Sequence, residues 1–448
     1  MRMLSRTSKA SIDDYHGSAR ERVGAEASTS RGAGLVSTAE LRSWHRQPDL
    51  MKFPYAAVLR EFHGVGKHFV SRELLDLLVS ARSMLPTMRG PWPRVHTLVS
   101  FLDSALDKLE NRYDYSTYLA LSLLRLPGPD DPIEQAPFAR SRCDRLTVAL
   151  LADALAFELS AVDGRTALLP KMRPPVDLVT KRCKHGMRAI RPALARMSLD
   201  VALASDDAAD LARQACAAVQ ADMSFAEARA MDLSMLPVDT VHDEYLFLRI
   251  LQTFETTFAL LVVQLRGVIR ALLDKEVDRA THFLRSSEAA LRESAPLFSM
   301  LATMQVESFR TFRQFTDGAS AIQSDNYKLV ESLCRSPEPS RVGSSAYHSV
   351  PEVRIRVLAG QYTLDDAYHD ACEAGDFAPE DLTLLGEAMK AFAQALLRWR
   401  QTHYRLAVRM LGSTPGTGYT EGTPYLDAAR NIPVFDNVEV DNDSAKTP

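Results

Sequence analysis

The side chain whose setting most constrains the chemistry is His403. Leu385, Met389, Phe392, Leu396, Trp399, His403, Leu406 and Met410 follow one another in steps of three and four. That spacing defines one helix face, so the imidazole is turned into the core with the seam. A ring there serves either as a metal ligand or as a structural histidine bonded to a backbone carbonyl. Glu255 raises a related question. Phe247, Leu251, Phe254, Phe258, Leu261, Leu265, Val268 and Leu272 make a second stripe, and Glu255, one turn after Leu251, lies on its edge. A carboxylate in that position needs a hydrogen-bond partner or a cation. Arg313 shares a helix face with Phe309, and in Gly416-Thr417-Gly418 the flanking glycines let backbone approach a ligand closely. Without a lysine that turn is not a phosphate loop. Cys143, Cys183, Cys216, Cys334 and Cys372 are scattered and never in a C-x-x-C spacing, so neither a disulfide framework nor a zinc site is indicated. No H-E-x-x-H and no Rossmann glycine pattern after a strand is present.

The elements that must position these groups are helices. Periodic apolar spacing predicts them over Val95 to Asn111, Arg145 to Ala161, Asp207 to Ala221, Glu244 to Asp274, Ala280 to Glu293, Ser299 to Phe315 and Leu382 to Leu411. Alternating strand-like runs are short and rare, so the expected fold is all-α. Pro127 to Pro137, Lys171 to Pro175 and Arg335 to Pro351 carry the punctuation of loops. Residues 1–48, rich in Ser, Arg, Gly and Ala, read as a disordered tail, and residues 437–448 as a frayed polar end. With 448 residues and 46% apolar content the chain can bury a large core, with length for two or three compact units. Lys and Arg total 53 against 57 Asp and Glu, a formal charge of −4 with no long basic run, which argues against nucleic acid as a partner. The longest apolar run, Phe258 to Val263, is too short to cross a bilayer, and no apolar leader opens the chain, so neither a membrane span nor secretion is expected. The free cysteines fit a reducing cytoplasm.

Several blocks together resemble a known family. Trp399-Arg400-Gln401-Thr402-His403, followed by Val408-Arg409-Met410-Leu411-Gly412 and Gly416-Thr417-Gly418, is similar to the proximal heme segment of tryptophan 2,3-dioxygenases. That segment is a W-R-x-x-H helix running into R-x-x-G and G-T-G. His242-Asp243-Glu244-Tyr245-Leu246-Phe247 with Gln252-Thr253-Phe254-Glu255 resembles the family's H-D-E-x-L-F and H-Q-x-Y-E. Phe312-Arg313 with Ala319-Ser320-Ala321-Ile322-Gln323-Ser324 and Tyr327 resembles F-R…A-S-G-F-Q-S, and Tyr115-Ser116-Thr117-Tyr118-Leu119 resembles Y-x-x-Y-L. The likeness covers roughly Tyr113 to Leu426 within an oxygenase domain expected at 113–436, interrupted by a long helical insertion at about 120–241 and preceded by an extra helical segment, 49–112.

The resemblance implies a helical heme-binding bundle of the tryptophan/indoleamine dioxygenase type, with heme b bound and His403 as iron ligand beside Trp399. It implies that Arg313 holds the carboxylate of an aromatic amino acid, the alternatives being an arginine that reaches solvent or one that pairs with a heme propionate. Thr417 maps to a threonine near the amino acid's ammonium and carboxylate groups. Phe247 and Phe309 become apolar walls, and Ser320 lies near the distal side of the heme. Tyr115 and Tyr118 close the pocket, in the family often from a neighbouring subunit, which implies a homo-oligomer, a dimer or tetramer. The departure that matters most is Leu251, at the position of the family's distal histidine. Leucine can neither accept an indole N–H nor relay a proton. Ala321 and Tyr419 also depart from family glycines, so the pocket has been reshaped.

The leading expectation is therefore a heme-dependent oxygenase acting on tryptophan or a derivative with dioxygen or peroxide, in a biosynthetic role. It would either cleave the indole 2,3-bond as a dioxygenase or insert one oxygen atom as a monooxygenase. The alternatives are a non-catalytic heme-binding sensor and a helical interaction protein that has lost the cofactor.

Overall fold

Twenty α-helices and no strand are found among the described residues, which in this computed structural model are 27–199, 205–412, 416 and 422–438. The all-α expectation holds. Helices α1 (Ala27–Arg46), α2 (Tyr55–Val65), α3 (Arg72–Met84) and α4 (Trp92–Leu106) form an N-terminal module. Its own core is built on Leu41, Trp44, Phe62, Leu78 and Phe101. This corrects the reading of residues 1–48 as a disordered tail: Ala27–Arg46 is helical, and Leu41 and Trp44 are buried. Two large apolar residues one turn apart suffice to dock a helix that composition alone scores as polar. Residues 1–26 lie outside the described residues.

Two single-turn helices, α5 (Tyr115–Tyr118) and α6 (Leu121–Leu124), lead into α7 (Ala136–Val162), α8 (Val176–Arg196), α9 (Ala208–Asp222) and α10 (Phe225–Leu233). These occupy the insertion, yet they are not an appendage. Leu151, Leu155, Cys183, Ile190 and Ala212 belong to the same buried cluster as the helices that follow.

Those helices are α11 (His242–Leu273), α12 (Val277–Leu301), α13 (Val306–Arg313), α14 (Asp325–Cys334), the short α15 (Pro339–Val342) and α16 (Ser345–His348), α17 (Pro351–Leu358), α18 (Leu364–Ala374), α19 (Pro379–Leu411) and α20 (Thr423–Arg430). The region from Arg335 to Pro351, expected as loop, thus carries two helical turns. The helix expected over Ser299 to Phe315 is broken between α12 and α13, where side chains take over the backbone groups. Asp243 accepts the Gln305 N–H at 2.8 Å, and Arg182 donates to the Thr303 carbonyl at 3.3 Å. In the segment 437–448, the Asn437 N–H donates to Asp365 at 3.2 Å, and residues beyond 438 lie outside the described set.

Helix α11 is the axis of the molecule. It packs on α7, α12, α13, α14 and α18 and is buried on nearly all faces. By length and apolar composition it could cross a membrane, but 89% of its most apolar window is covered by the fold. A helix that is apolar all round is explained by such burial. Its rotation is set by a polar face. Arg249 donates to Asp153 at 2.6 Å, to Ser234 and Gln252 at 2.9 and 2.8 Å, and to the Met231 carbonyl at 2.7 Å; Gln252 donates to the Leu119 carbonyl at 2.8 Å. With those groups turned toward the insertion, Phe247, Leu251 and Phe258 are turned to the other side.

Candidate functional site

On that other side lies a mostly apolar cavity of about 250 Å³ that opens to solvent. Helices α5, α11, α12, α13, α14, α19 and α20 supply its walls. Every candidate residue that falls in the described set lines it: Tyr115, Tyr118, Phe247, Leu251, Phe309, Arg313, Ser320, Trp399 and His403. The structure brings together residues nearly three hundred positions apart. Gly416 reaches the wall as well, whereas Thr417 lies outside the described residues.

His403 is carried by α19, whose first turn has Pro379, Glu380 and Asp381, a proline and two acids suited to a helix start. The helix runs to Gly412, whose φ of 60° ends it in a backbone region that suits glycine. Desolvation lowers the His403 pKa from 6.5 to about 4, so the ring is neutral at pH 7 and has a lone pair to offer. No hydrogen bond to it is found among the described residues, so none of their backbone carbonyls ties it down. Trp399, one turn earlier, packs its ring at a tilt 5.2 Å from the imidazole, and tilted or edge-on 5.2–5.6 Å from Phe254, Phe258, Phe298 and Tyr327. Its indole N–H is buried with no acceptor among the described residues. A buried donor left so costs about 1–3 kcal/mol, a cost that a bound acceptor would remove.

At the α14 end the walls are basic. Glu331 accepts two bonds from Arg341, at 2.7 and 2.8 Å, and one from the Tyr347 hydroxyl at 3.1 Å. Lys328 and Arg400 each approach the same carboxylate at 3.8 Å. Arg400 also donates to the Tyr327 hydroxyl at 2.8 Å and to the Ile432 carbonyl at 2.6 Å. Glu331, surrounded by these cations, is held far below the usual carboxylate range, and burial lowers Lys328 from 10.5 to about 8. Three cationic side chains thus share one carboxylate next to a cavity. Apart from Arg400 in the W-R block, this end escaped the sequence reading. Lys328 stands on an otherwise ordinary helix pattern and Arg341 in a stretch read as loop.

The remaining walls are aromatic. Phe247 meets Phe309 edge-on at 5.7 Å and Phe312 at a tilt at 5.3 Å between ring centroids, inclined arrangements that aromatic rings favour. Arg313 ends α13 at the edge of this group; half-buried, its guanidinium pKa is lowered by desolvation. Gln323 fixes two candidates at once, because its side-chain carbonyl accepts the N–H of Tyr115 at 3.0 Å and of Ser320 at 3.1 Å. Tyr118 differs from expectation. Its hydroxyl donates to Glu244 at 3.1 Å, and Glu244 also accepts the N–H groups of Val238 and Asp239 at 2.7 and 3.0 Å. Only the ring of Tyr118 is free to serve the cavity. Both tyrosines line the cavity of their own chain.

The motif His242-Asp243-Glu244 proves to be a buried brace rather than a ligand set. Arg182 of α8 donates to Glu158 and to Asp243, each at 2.7 Å, and His242 is 3.1 Å from the other Glu158 oxygen. The inserted helices are thereby tied to the start of α11. Among the described residues no group of three or more His, Cys, Asp or Glu side chains is placed to hold a metal ion, so a metal at His403 must bring its other ligands with it.

Residues 224–350 match the model of the family described as tryptophan 2,3-dioxygenase. Relatives of the chain include a tryptophan 2,3-dioxygenase from Ruegeria pomeroyi, 26% identical over 48% of this chain and 90% of the relative. Another from Polaromonas sp. is 22% identical over 48% of this chain and 86% of the relative. One from Xanthomonas campestris pv. campestris is 25% identical, over 43% and 76%.

Proposed function

Since the chain belongs to the tryptophan 2,3-dioxygenase-like superfamily, we propose that it is a heme-dependent oxygenase whose cavity takes an aromatic amino acid, tryptophan or a derivative, together with dioxygen or peroxide. The observation that carries this reading is His403: a neutral imidazole with no partner among the described residues, in the wall of a mostly apolar cavity that every described candidate residue lines. The residues fit a porphyrin. His403 would bind the iron, Trp399 and the surrounding phenyl rings would pack on the macrocycle, and the cationic end at Lys328, Arg341 and Arg400 would hold its carboxylates. Heme bound there supplies the iron at which the oxidant is activated.

The chain's own residues do the rest. Arg313 clamps the substrate carboxylate, since a guanidinium binds a carboxylate bidentately and fixes orientation as well as charge. Phe247 and Phe309 flank the aromatic ring, and Ser320 and Tyr115 border the remaining space. Thr417 is assigned the ammonium and carboxylate end on the family likeness alone. Leu251 leaves the distal wall without the family's imidazole, which weakens the case for simple cleavage of the indole 2,3-bond and makes insertion of one oxygen the second outcome.

Optical spectra of protein expressed with heme precursor test the reading, wild type beside His403→Ala, with and without tryptophan. A Soret band that is lost or shifted in the variant and that responds to the amino acid is the expected result. Product masses then separate two added oxygens from one. Heme uptake without oxygen consumption would favour a sensor, and a wild type that stays colourless would overturn the proposal.

A further inference from the structure

Three residues border two cavities at once. Tyr115, Glu255 and Ser324 line the main cavity, and the same three line a second cleft whose other walls include Trp92 of α4, Arg125, Asp325 and Glu352. They are the partition between the two. Glu255 is only 1% exposed, and its two oxygens are treated differently. Oε2 accepts the side-chain N–H of Asn326 at 3.0 Å, from the cleft side, whereas Oε1 is buried with no hydrogen-bond partner among the described residues. The hydroxyls of Tyr115 and Ser324 approach the same carboxyl closely enough to favour its charged form. One turn earlier on α11 stands Leu251, which has no acid–base capacity.

We propose that Glu255 is the proton-exchange group of the cavity, taking a proton from a donor held there and passing it to water in the cleft beside Asp325. The inference rests on the reading of the cavity as a substrate site and deepens it. An N–H or O–H of the bound molecule gives its proton to the Glu255 carboxylate, and the electron pair of the broken bond stays on that molecule. The resulting carboxylic acid releases the proton to cleft water and returns to carboxylate; no electron changes hands between groups. The surroundings suit both directions of transfer. Burial lifts Glu255 from 4.5 to about 7, with Asp325 adding to the rise and Ser324, Asn326 and Tyr115 opposing it. Burial likewise lifts Asp325 from 3.8 to about 6, helped by Glu352 and Asp114. Arg125, Arg142 and Arg356 line the same cleft, Arg356 paired with Asp130. The basic groups of the main cavity belong to its other end, at Lys328, Arg341 and Arg400.

Glu255→Gln keeps an oxygen for Asn326 and removes the titration; Glu255→Asp keeps the titration and shortens the reach. Isotope-edited infrared spectra of the heme-free protein should show one carboxyl that titrates near pH 7 in wild type and is missing from Glu255→Gln. In the heme-loaded enzyme turning over tryptophan, Glu255→Gln should lose the limb of the pH profile near 7 and about a hundredfold in kcat, the size of a general acid–base contribution. Glu255→Asp should restore the limb. A Glu255→Gln profile that superimposes on wild type, or a carboxyl that does not titrate near neutrality, would overturn the proposal. The infrared titration needs neither heme nor substrate, so a failure of the oxygenase reading would show in the optical spectra and leave this result separately readable.

Discussion

Arg313 ends α13 beside Phe309 and Phe312, where a guanidinium can meet the carboxylate of a molecule whose ring lies against the phenyl groups. A charge-assisted bond of this kind is worth about 1.5–3 kcal/mol, so Arg313→Ala should raise the Kd for the aromatic amino acid about tenfold or more. Calorimetric or spectroscopic titration measures it, and unchanged affinity would remove Arg313 from the substrate site. A second residue-scale prediction concerns Lys328. Its folded-state pKa is lowered to about 8 by burial against 10.5 for a free lysine. Between those values the unfolded chain carries a proton there that the folded chain lacks, so stability rises with pH across that window. Lys328→Met should abolish that rise, as thermal unfolding of the heme-free protein at the two ends of the window will show. The site residues visible in the sequence were those with an unusual type for their position: a histidine in an apolar seam, a glutamate on a stripe edge. Tyr118 shows the limit of that reasoning, because nothing local to its sequence says that Glu244, 126 positions away, takes its hydroxyl.

At the scale of elements, the insertion and the central helix are one structure. Arg182, on α8, is completely buried between Glu158 and Asp243. Removing one member of a buried charged set leaves the others without compensation, at a cost of about 3–5 kcal/mol. Arg182→Met should therefore lower stability by that amount in denaturant unfolding and loosen the start of α11, whereas a loss below about 1 kcal/mol, the range of an exposed pair, would mean the brace is solvated. Long helices such as α11 and α19 were legible because many turns of apolar spacing reinforce one reading. The break between α12 and α13 was not, since it depends on Asp243 and Arg182 arriving from distant segments to replace lost helix bonds.

For the molecule as a whole, the N-terminal module has its own buried cluster, but Leu233 and Leu236, just ahead of α11, are part of it. The module is thus continuous with the chain that enters the site. Leu41 is fully buried there, and Leu41→Ala should cost about 2–5 kcal/mol. Deletion of residues 1–48, which composition marks as dispensable, should likewise lower the thermal midpoint; an unchanged midpoint would show that α1 packs too weakly to matter. By itself the sequence determined that the protein is helical, that His403 faces inward, and which blocks belong to one family, because periodicity and motif spacing are local properties that survive low overall identity. Only the tertiary structure decided that the insertion shares the core, that a cationic end faces the cavity and that Glu255 stands in a wall between two openings. Those are relations between segments up to hundreds of residues apart, and they come from packing and the pairing of buried polar groups, which no local pattern encodes.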